Sequence, residues 1–216
     1  MQEFNKYIDQ TLLRPDANDQ EIMQFAEEVK RFKFYAAVVN PCWVEYVRQN
    51  LPDEIKVCSV VGFPLGTVNS TVKIYAAGNL VKIGCDEIDM VMNIGKFKSR
   101  DYEYVSKEIK MVVDAAKGRV VKVIIETCLL TSEEKKKAAC LVKESGAHFV
   151  KTSTGFSKAG AQLDDVRMLR RIVGQGFGVK ASGGIRDYLS ALEFIKAGAN
   201  RIGTSSGKAI MEGITR

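Results

Sequence analysis

Gly146-Ala-His-Phe-Val-Lys151 repeats a pattern found twice more, in Gly84-Cys-Asp-Glu-Ile-Asp89 and in Gly198-Ala-Asn-Arg-Ile-Gly203. In each, a glycine ends a helical pattern, a short loop follows, and a β-branched or apolar run begins. Glycine is the residue that most easily leaves a helix in a left-handed turn, so each stretch marks a helix-to-strand joint. Outward from these joints, eight short apolar runs alternate with longer amphipathic ones. The runs are Ile8–Leu13, Ala36–Val39, Val57–Val61, Glu87–Met92, Val121–Glu126, Phe149–Ser153, Gly178–Ala181 and Arg201–Thr204. Between them lie helical spacings, such as Val105, Ile109, Val112, Val113 and Ala116 over 101–117, and Leu163, Val166, Leu169, Ile172 and Val173 ending at Gly174. Thr131 with Glu134 reads as a capping box, and Asp187 as a helix N-cap. Eight strand–helix units predict the α/β class and a (β/α)8 TIM barrel, joined by right-handed crossovers. No Pro/Ser-rich linker divides the chain, so residues 1–216 read as one barrel domain. An open doubly wound sheet is the rival, weakened because no G-x-G-x-x-G follows an early strand.

The repeat also assigns directions. Its sixth positions, Asp89, Lys151 and Gly203, fall on the fourth, sixth and eighth strands. A layer of inward side chains comes from alternate strands of such a barrel, so the three are expected in one layer. Ile88 and Met90 then face the helices.

Strands of a parallel barrel are buried on both faces and read as apolar runs. Lys122, Lys151 and Lys180 interrupt them. A buried ammonium must be paired or lose its proton. Simple neutralisation by a carboxylate such as Glu126 or Asp89 is the plain structural reading. Position distinguishes the three. Lys122 comes before the apolar centre of its strand, towards the end that usually serves stability, whereas Lys151 and Lys180 lead into small polar residues and glycines. A free lysine offers only about one neutral amine in 2,500 at pH 7. A second ammonium about 5 Å away disfavours protonation by roughly 3 kcal/mol at an effective dielectric near 20. A lysine so perturbed can attack a carbonyl and form an imine, with Asp89 as a nearby proton shuttle through a water.

Three glycine-rich turns follow the last strands: Thr154-Gly155, Ser182-Gly183-Gly184-Ile185-Arg186, and Gly203-Thr204-Ser205-Ser206-Gly207. Backbone N–H groups in such turns approach anions closely, and the turns after strands seven and eight are the usual phosphate site of this barrel.

Composition fits an ordinary soluble globular protein and argues against disorder. The 216 residues are 46% hydrophobic, and the formal net charge of +6 is scattered, its densest run being Lys135–Lys137. That is a solvated helix face rather than a nucleic-acid surface, and a mild positive field also suits a small anion. Cys42, Cys58, Cys85, Cys128 and Cys140 contain no C-x-x-C pair and read as reduced, mostly buried thiols. Met1–Gln10 is polar, and no apolar stretch approaches a membrane span, which predicts a cytoplasmic protein without membrane contact.

The runs Ile8–Leu13, Val61–Gly66, Glu87–Asn93, Val121–Thr127, Phe149–Phe156, Val179–Arg186 and Arg201–Ser205 together resemble the deoxyribose-phosphate aldolase family, class I Schiff-base aldolases. VKTSTGF (150–156) with VKASGGIR (179–186) is the most specific part, and the matching runs span nearly the whole chain in family order. The resemblance implies reversible cleavage of 2-deoxy-D-ribose 5-phosphate to acetaldehyde and D-glyceraldehyde 3-phosphate, with no cofactor and no metal. It implies Lys151 as the imine lysine, Lys180 as the lysine that perturbs it, and Asp89 as the proton-relay acid. It further implies phosphate contacts at Gly155, Gly183, Gly184, Gly203, Ser205 and Ser206, with Arg186 nearby, and Asp9 and Thr11 close to the substrate. A homodimer or homotetramer is the expected assembly, with small phosphorylated sugars and aldehydes as partners.

Two departures accompany the resemblance. Gln10 stands where many members carry His, although others do not, which implies unaffected catalysis. The chain ends at Arg216 without the longer tail whose terminal tyrosine assists proton transfer in some relatives. The single histidine, His148, precedes its strand at the far end and reads as structural. Two other readings stay open: another Schiff-base barrel aldolase for a larger phosphorylated sugar, and a non-catalytic barrel that binds sugar phosphates or nucleotides.

Overall fold

A computed structural model describes residues 4–215; Arg216 and the first three residues of Met1–Gln10 lie outside the described residues. The eight expected runs form eight strands: β1 (Ile8–Leu12), β2 (Ala36–Val39), β3 (Lys56–Val61), β4 (Glu87–Val91), β5 (Val120–Ile124), β6 (Phe149–Lys151), β7 (Gly178–Ser182) and β8 (Arg201–Thr204). All pair in parallel, in chain order, and β8 closes onto β1. The fold is therefore the (β/α)8 barrel that the alternation predicts.

The outer layer comprises α1 (Asp19–Phe32), α2 (Val44–Asn50), α3 (Ser70–Lys82), α4 (Ile94–Lys98), α5 (Tyr102–Ala115), α6 (Ser132–Glu144), α7 (Leu163–Val173), α8 (Tyr188–Lys196) and α9 (Gly207–Glu212). Local chemistry sets their ends. The Thr131 hydroxyl accepts from the Glu134 N–H while the Glu134 carboxylate accepts from the Thr131 N–H, and Asp187 accepts from the Ser190 N–H. Apolar positions of α5 and α7 turn inward: Val105, Ile109 and Val112 on one, Val166, Leu169 and Val173 on the other. They meet the outward residues of the strands, including Ile88, Met90, Val121 and Val150, in one continuous core. None of these helices among the described residues is long and apolar enough to cross a membrane.

Inside the barrel the lining divides in two. Leu13, Ala36, Val38, Cys58 and Val60 make an apolar part on β2, β3 and the end of β1. The rest of the interior is rich in charge: Asp9 on β1, Glu87 and Asp89 on β4, Lys122 on β5, Lys151 on β6, Lys180 on β7 and Arg201 on β8, all buried. Charged groups on this scale are tolerated inside a barrel only when they answer one another.

The cysteines depart in part from expectation. All five are free thiols, but only Cys58 and Cys85 are buried, and Cys42 is exposed. Cys42 lies in a short 3-10 helix after β2 (Pro41–Trp43), where the neighbouring apolar run has already ended. His148 does hold backbone together: its Nδ1 accepts from the Val121 N–H at 3.1 Å.

Candidate active site

Strand register brings the interior charges together. Lys151 is level with Lys180 across β6 and β7, and Asp89 is level with Lys122 across β4 and β5. Asp89 accepts from three ammonium groups, with Oδ1 2.8 Å from Lys122 Nζ and Oδ2 2.7 Å from Lys151 and 2.8 Å from Lys180. Two nitrogens bonded to one oxygen at those lengths are at most about 5.5 Å apart. The network continues below. Asp9 lies 2.6 Å from Lys180 and 2.6 Å from Arg201, and Glu87 lies 2.6 Å from Lys122 and 3.1 Å from Arg201. The Arg201 guanidinium stacks over the Tyr35 ring, 3.1 Å from its centroid.

Four cations thus share three carboxylates in the buried interior of the barrel. The group that can shed a proton at least cost is the one with the fewest anionic partners. Lys122 and Lys180 each contact two carboxylates closely, whereas Lys151 has only Asp89. Burial pushes the Lys151 amine below the ordinary lysine range, and the Lys180 ammonium pushes it further against the pull of Asp89. Burial acts the same way on Lys180 and Lys122, but Asp89 with Asp9 for the first, and Asp89 with Glu87 for the second, outweigh it and raise both. For Asp89, burial alone would raise the carboxyl, yet Lys122, Lys151 and Lys180 overcome it and hold it well below the carboxylate range.

A cavity of about 290 Å³ opens at the C-terminal ends of the strands, lined among others by Lys151, Thr11, Gly155, Gly183, Gly184 and Arg186. Gly203 and Ser205 also stand on that wall. Lys151 is the interior lysine that reaches it; Lys122 and Lys180 are sealed beneath, with no exposed surface. Gly203 earns its place by room: a Cβ there would lie 3.0 Å from Lys180 Cε, so a side chain would displace the lysine stem. Of the three repeat positions, Lys151 bonds to Asp89 directly and Gly203 makes room for the stem of Lys180, which bonds to the same aspartate.

Four N–H groups on that wall, those of Gly155, Gly183, Gly184 and Ser205, have no acceptor among the described residues. Unengaged N–H groups beside the exposed Arg186 are donors of the kind an anion requires. Two threonines shape the turns that carry them. Thr154 Oγ1 accepts from the Phe156 N–H at 3.1 Å, and Thr204 Oγ1 from the Ser206 N–H at 2.9 Å. Glu126, held in a left-handed backbone conformation at φ 52°, accepts from the Thr154 N–H at 3.3 Å.

Several placements differ from the sequence reading. Asp9 does not reach the cavity; it is fully buried between Lys180 and Arg201, so its side chain is a network member rather than a direct substrate contact. Ser206 is not on the cavity wall, and its N–H is spent on Thr204. Lys122 does lie lower than Lys151, level with Asp89, yet it belongs to the same cluster; of the two carboxylates expected for it Asp89 is a partner and Glu126 is not, and Glu87 is the second. Arg14, Leu12, Leu13 and Phe156 also line the cavity, although nothing in their sequence spacing marks them for it. Arg14 is answered by Asp16 and Glu21, which leaves Arg186 as the wall's unpaired guanidinium among the described residues.

Comparison with known proteins agrees with this geometry. A sequence profile described as DeoC/LacD family aldolase matches residues 4–213. The deoxyribose-phosphate aldolase of Streptococcus sanguinis is 52% identical over 211 residues, covering 97% of this chain and 96% of the relative. That of Thermococcus kodakarensis is 54% identical over 217 residues, covering 98% and 96%. Among solved structures, the tetrameric deoxyribose phosphate aldolase from Aeropyrum pernix superposes with a TM-score of 0.91 at 34% identity, covering 98% of this chain and 91% of that one. With its profile, its relatives and its barrel in agreement, the chain belongs to the DeoC/LacD aldolase family.

Proposed function

We propose that the protein is a class I aldolase that reversibly cleaves 2-deoxy-D-ribose 5-phosphate into acetaldehyde and D-glyceraldehyde 3-phosphate through an imine on Lys151. The observation that carries this reading is the accessibility of one interior amine: Lys151 lines the cavity while Lys122 and Lys180 are sealed. The amine attacks the C1 aldehyde of the open-chain sugar and water leaves, giving a protonated imine. The C3 hydroxyl gives up its proton, the C2–C3 bond breaks, and its electron pair flows into the imine to give an enamine. Glyceraldehyde 3-phosphate departs with the new C3 carbonyl. Protonation of the enamine at C2 and addition of water then release acetaldehyde and restore the amine. Asp89, bonded to the Lys151 amine and to Lys180, relays protons for imine formation and hydrolysis through a water.

The phosphate is received by the free N–H groups of Gly155, Gly183, Gly184 and Ser205, with Arg186 adding charge. The cavity volume of about 290 Å³ is at the small end for ligand sites and favours this five-carbon substrate over a larger phosphorylated sugar. Assay with deoxyribose 5-phosphate in the presence of a chelator tests the reading. Acetaldehyde release at an undiminished rate is expected, because the imine supplies the electron sink. No release, or release abolished by the chelator, overturns it.

The barrel works as a homo-oligomer, a dimer or tetramer, in the cytoplasm. Exposed Leu65, Val68, Val72 and Tyr75, from the β3–α3 loop and α3, offer an apolar face for self-association. The five free thiols suit a reducing compartment. Sedimentation of wild type against Tyr75→Glu measures the assembly.

A further inference from the structure

The turn from β8 into α9 carries Ser205 on the cavity wall, but its shape is set from behind. Gln10, on β1, is paired in register with Thr204 and is only 3% exposed. Its Oε1 accepts from the Gly207 N–H at 3.0 Å. Its Nε2 donates to Glu28 Oε1 on α1 at 2.6 Å and reaches the Ser205 carbonyl at 3.4 Å. A carboxylate only accepts and a backbone N–H only donates, so Glu28 and Gly207 together dictate which end of the amide faces which partner. The amide therefore engages one acceptor and one donor of the turn, as a neighbouring strand would.

The approach is close. A Cβ at residue 207 would lie 2.5 Å from Gln10 Oε1 and 2.8 Å from Phe34 Cζ, so only glycine lets the turn settle onto Gln10. The Ser206 N–H is taken by Thr204, and the Gly207 N–H by Gln10. The Ser205 N–H is left without an acceptor on the residue that lines the cavity. Neither Gln10 nor Glu28 lines it.

We propose that Gln10, oriented by Glu28, is a positioning residue for phosphate recognition: it clamps the β8–α9 turn so that Ser205 presents its donor to the phosphate. This rests on the reading that the substrate's phosphate occupies the cavity beside Lys151. The pre-set turn saves the ordering that a loose one would undergo on binding, so its loss falls on affinity for the phosphate rather than on imine chemistry.

The experiment compares kcat/KM for deoxyribose 5-phosphate with that for unphosphorylated 2-deoxyribose, in wild type, Gln10→Leu and Glu28→Ala. Gln10→Leu should lower the ratio about tenfold, through KM for the phosphorylated sugar, with its kcat within about twofold. Glu28→Ala, at a partly exposed site on α1 where folding is safe, should lower the ratio in the same direction by about threefold. Equal losses on both substrates, or a loss in kcat alone, would reduce Gln10 to a fold-supporting role and overturn the proposal. So would an unchanged ratio in both variants while wild type still prefers the phosphorylated sugar. A wild type with no such preference would instead sink the phosphate reading, and this inference with it.

Discussion

Lys151 and Lys180 stand in register on neighbouring strands and bond to the same oxygen of one buried aspartate, Asp89 Oδ2, at 2.7 and 2.8 Å. Two cations on one oxygen, in a cluster where cations outnumber carboxylates, means one of them is easily persuaded to be neutral. Only Lys151 has both the depressed amine and the opening to the cavity. Chemistry and access select the same residue.

Trapping tests that selection directly. Borohydride with acetaldehyde should leave a reduced two-carbon unit on Lys151, read by peptide mass mapping, and none on Lys122 or Lys180. Lys151→Leu should abolish the adduct, whereas Lys122→Met should retain it. An adduct on Lys122, which has no exposed surface, would mean that the barrel opens in a way its packing argues against.

Removing the second ammonium should show in the pH–rate profile. The reacting amine must be neutral, so the rate climbs as pH rises through the depressed value of Lys151. Lys180→Leu leaves three cations on three carboxylates, and Lys151 is then held protonated. The rising limb should move up by about one to two pH units, with a matching loss of rate at pH 7. A profile that overlies wild type would separate Lys180 from the amine's reactivity.

How far the sequence carries can be judged residue by residue. All eight strands are legible, because each is a short β-branched run and parallel strands are buried on both faces. The three interior lysines are legible for the same reason: a charge inside such a run stands out. Asp9, Glu87 and Arg201 carry the same signal, but their pairings depend on the stagger between strands, which no single strand encodes. That stagger places Asp9 under the cavity rather than in it and brings Lys122 to Asp89. The cavity's glycines are visible as turn formers. Arg14 and Phe156 are not, since only the closed barrel carries their loops to one wall.

The same cluster sets acid stability. Asp9 and Asp89 are both held below the ordinary carboxylate range. For a carboxyl depressed by folding, the stabilisation is complete above its unfolded pKa, near about 4, and drains away as pH falls through its lower folded value. Thermal stability should therefore be level from neutrality down to about pH 4 as far as these two groups are concerned, and fall below it. Asp89→Asn leaves four cations facing two carboxylates. It should cost about 3–5 kcal/mol at pH 7 and flatten the acid limb, measured by denaturant unfolding at several pH values. Full neutral-pH stability in that variant would mean the lysines find other partners.

The two serines after β8 separate what the glycine-rich run alone could not. Ser205 is on the cavity wall with its N–H unengaged, while Ser206 is off it with its N–H bonded to Thr204. If the phosphate is held there, Ser205→Ala removes a hydroxyl beside the anion and should raise KM for deoxyribose 5-phosphate about ten- to hundredfold, as one hydrogen bond to a charged group is worth. Ser206→Ala should cost much less, because no donor to the cavity is lost. Free 2-deoxyribose should feel neither change strongly, since the hydroxyl has no phosphate to meet. Steady-state kinetics on the two sugars decide it. Losses at Ser205 that are equal for both would place the phosphate elsewhere, and a larger loss at Ser206 would mean the turn rearranges when substrate binds.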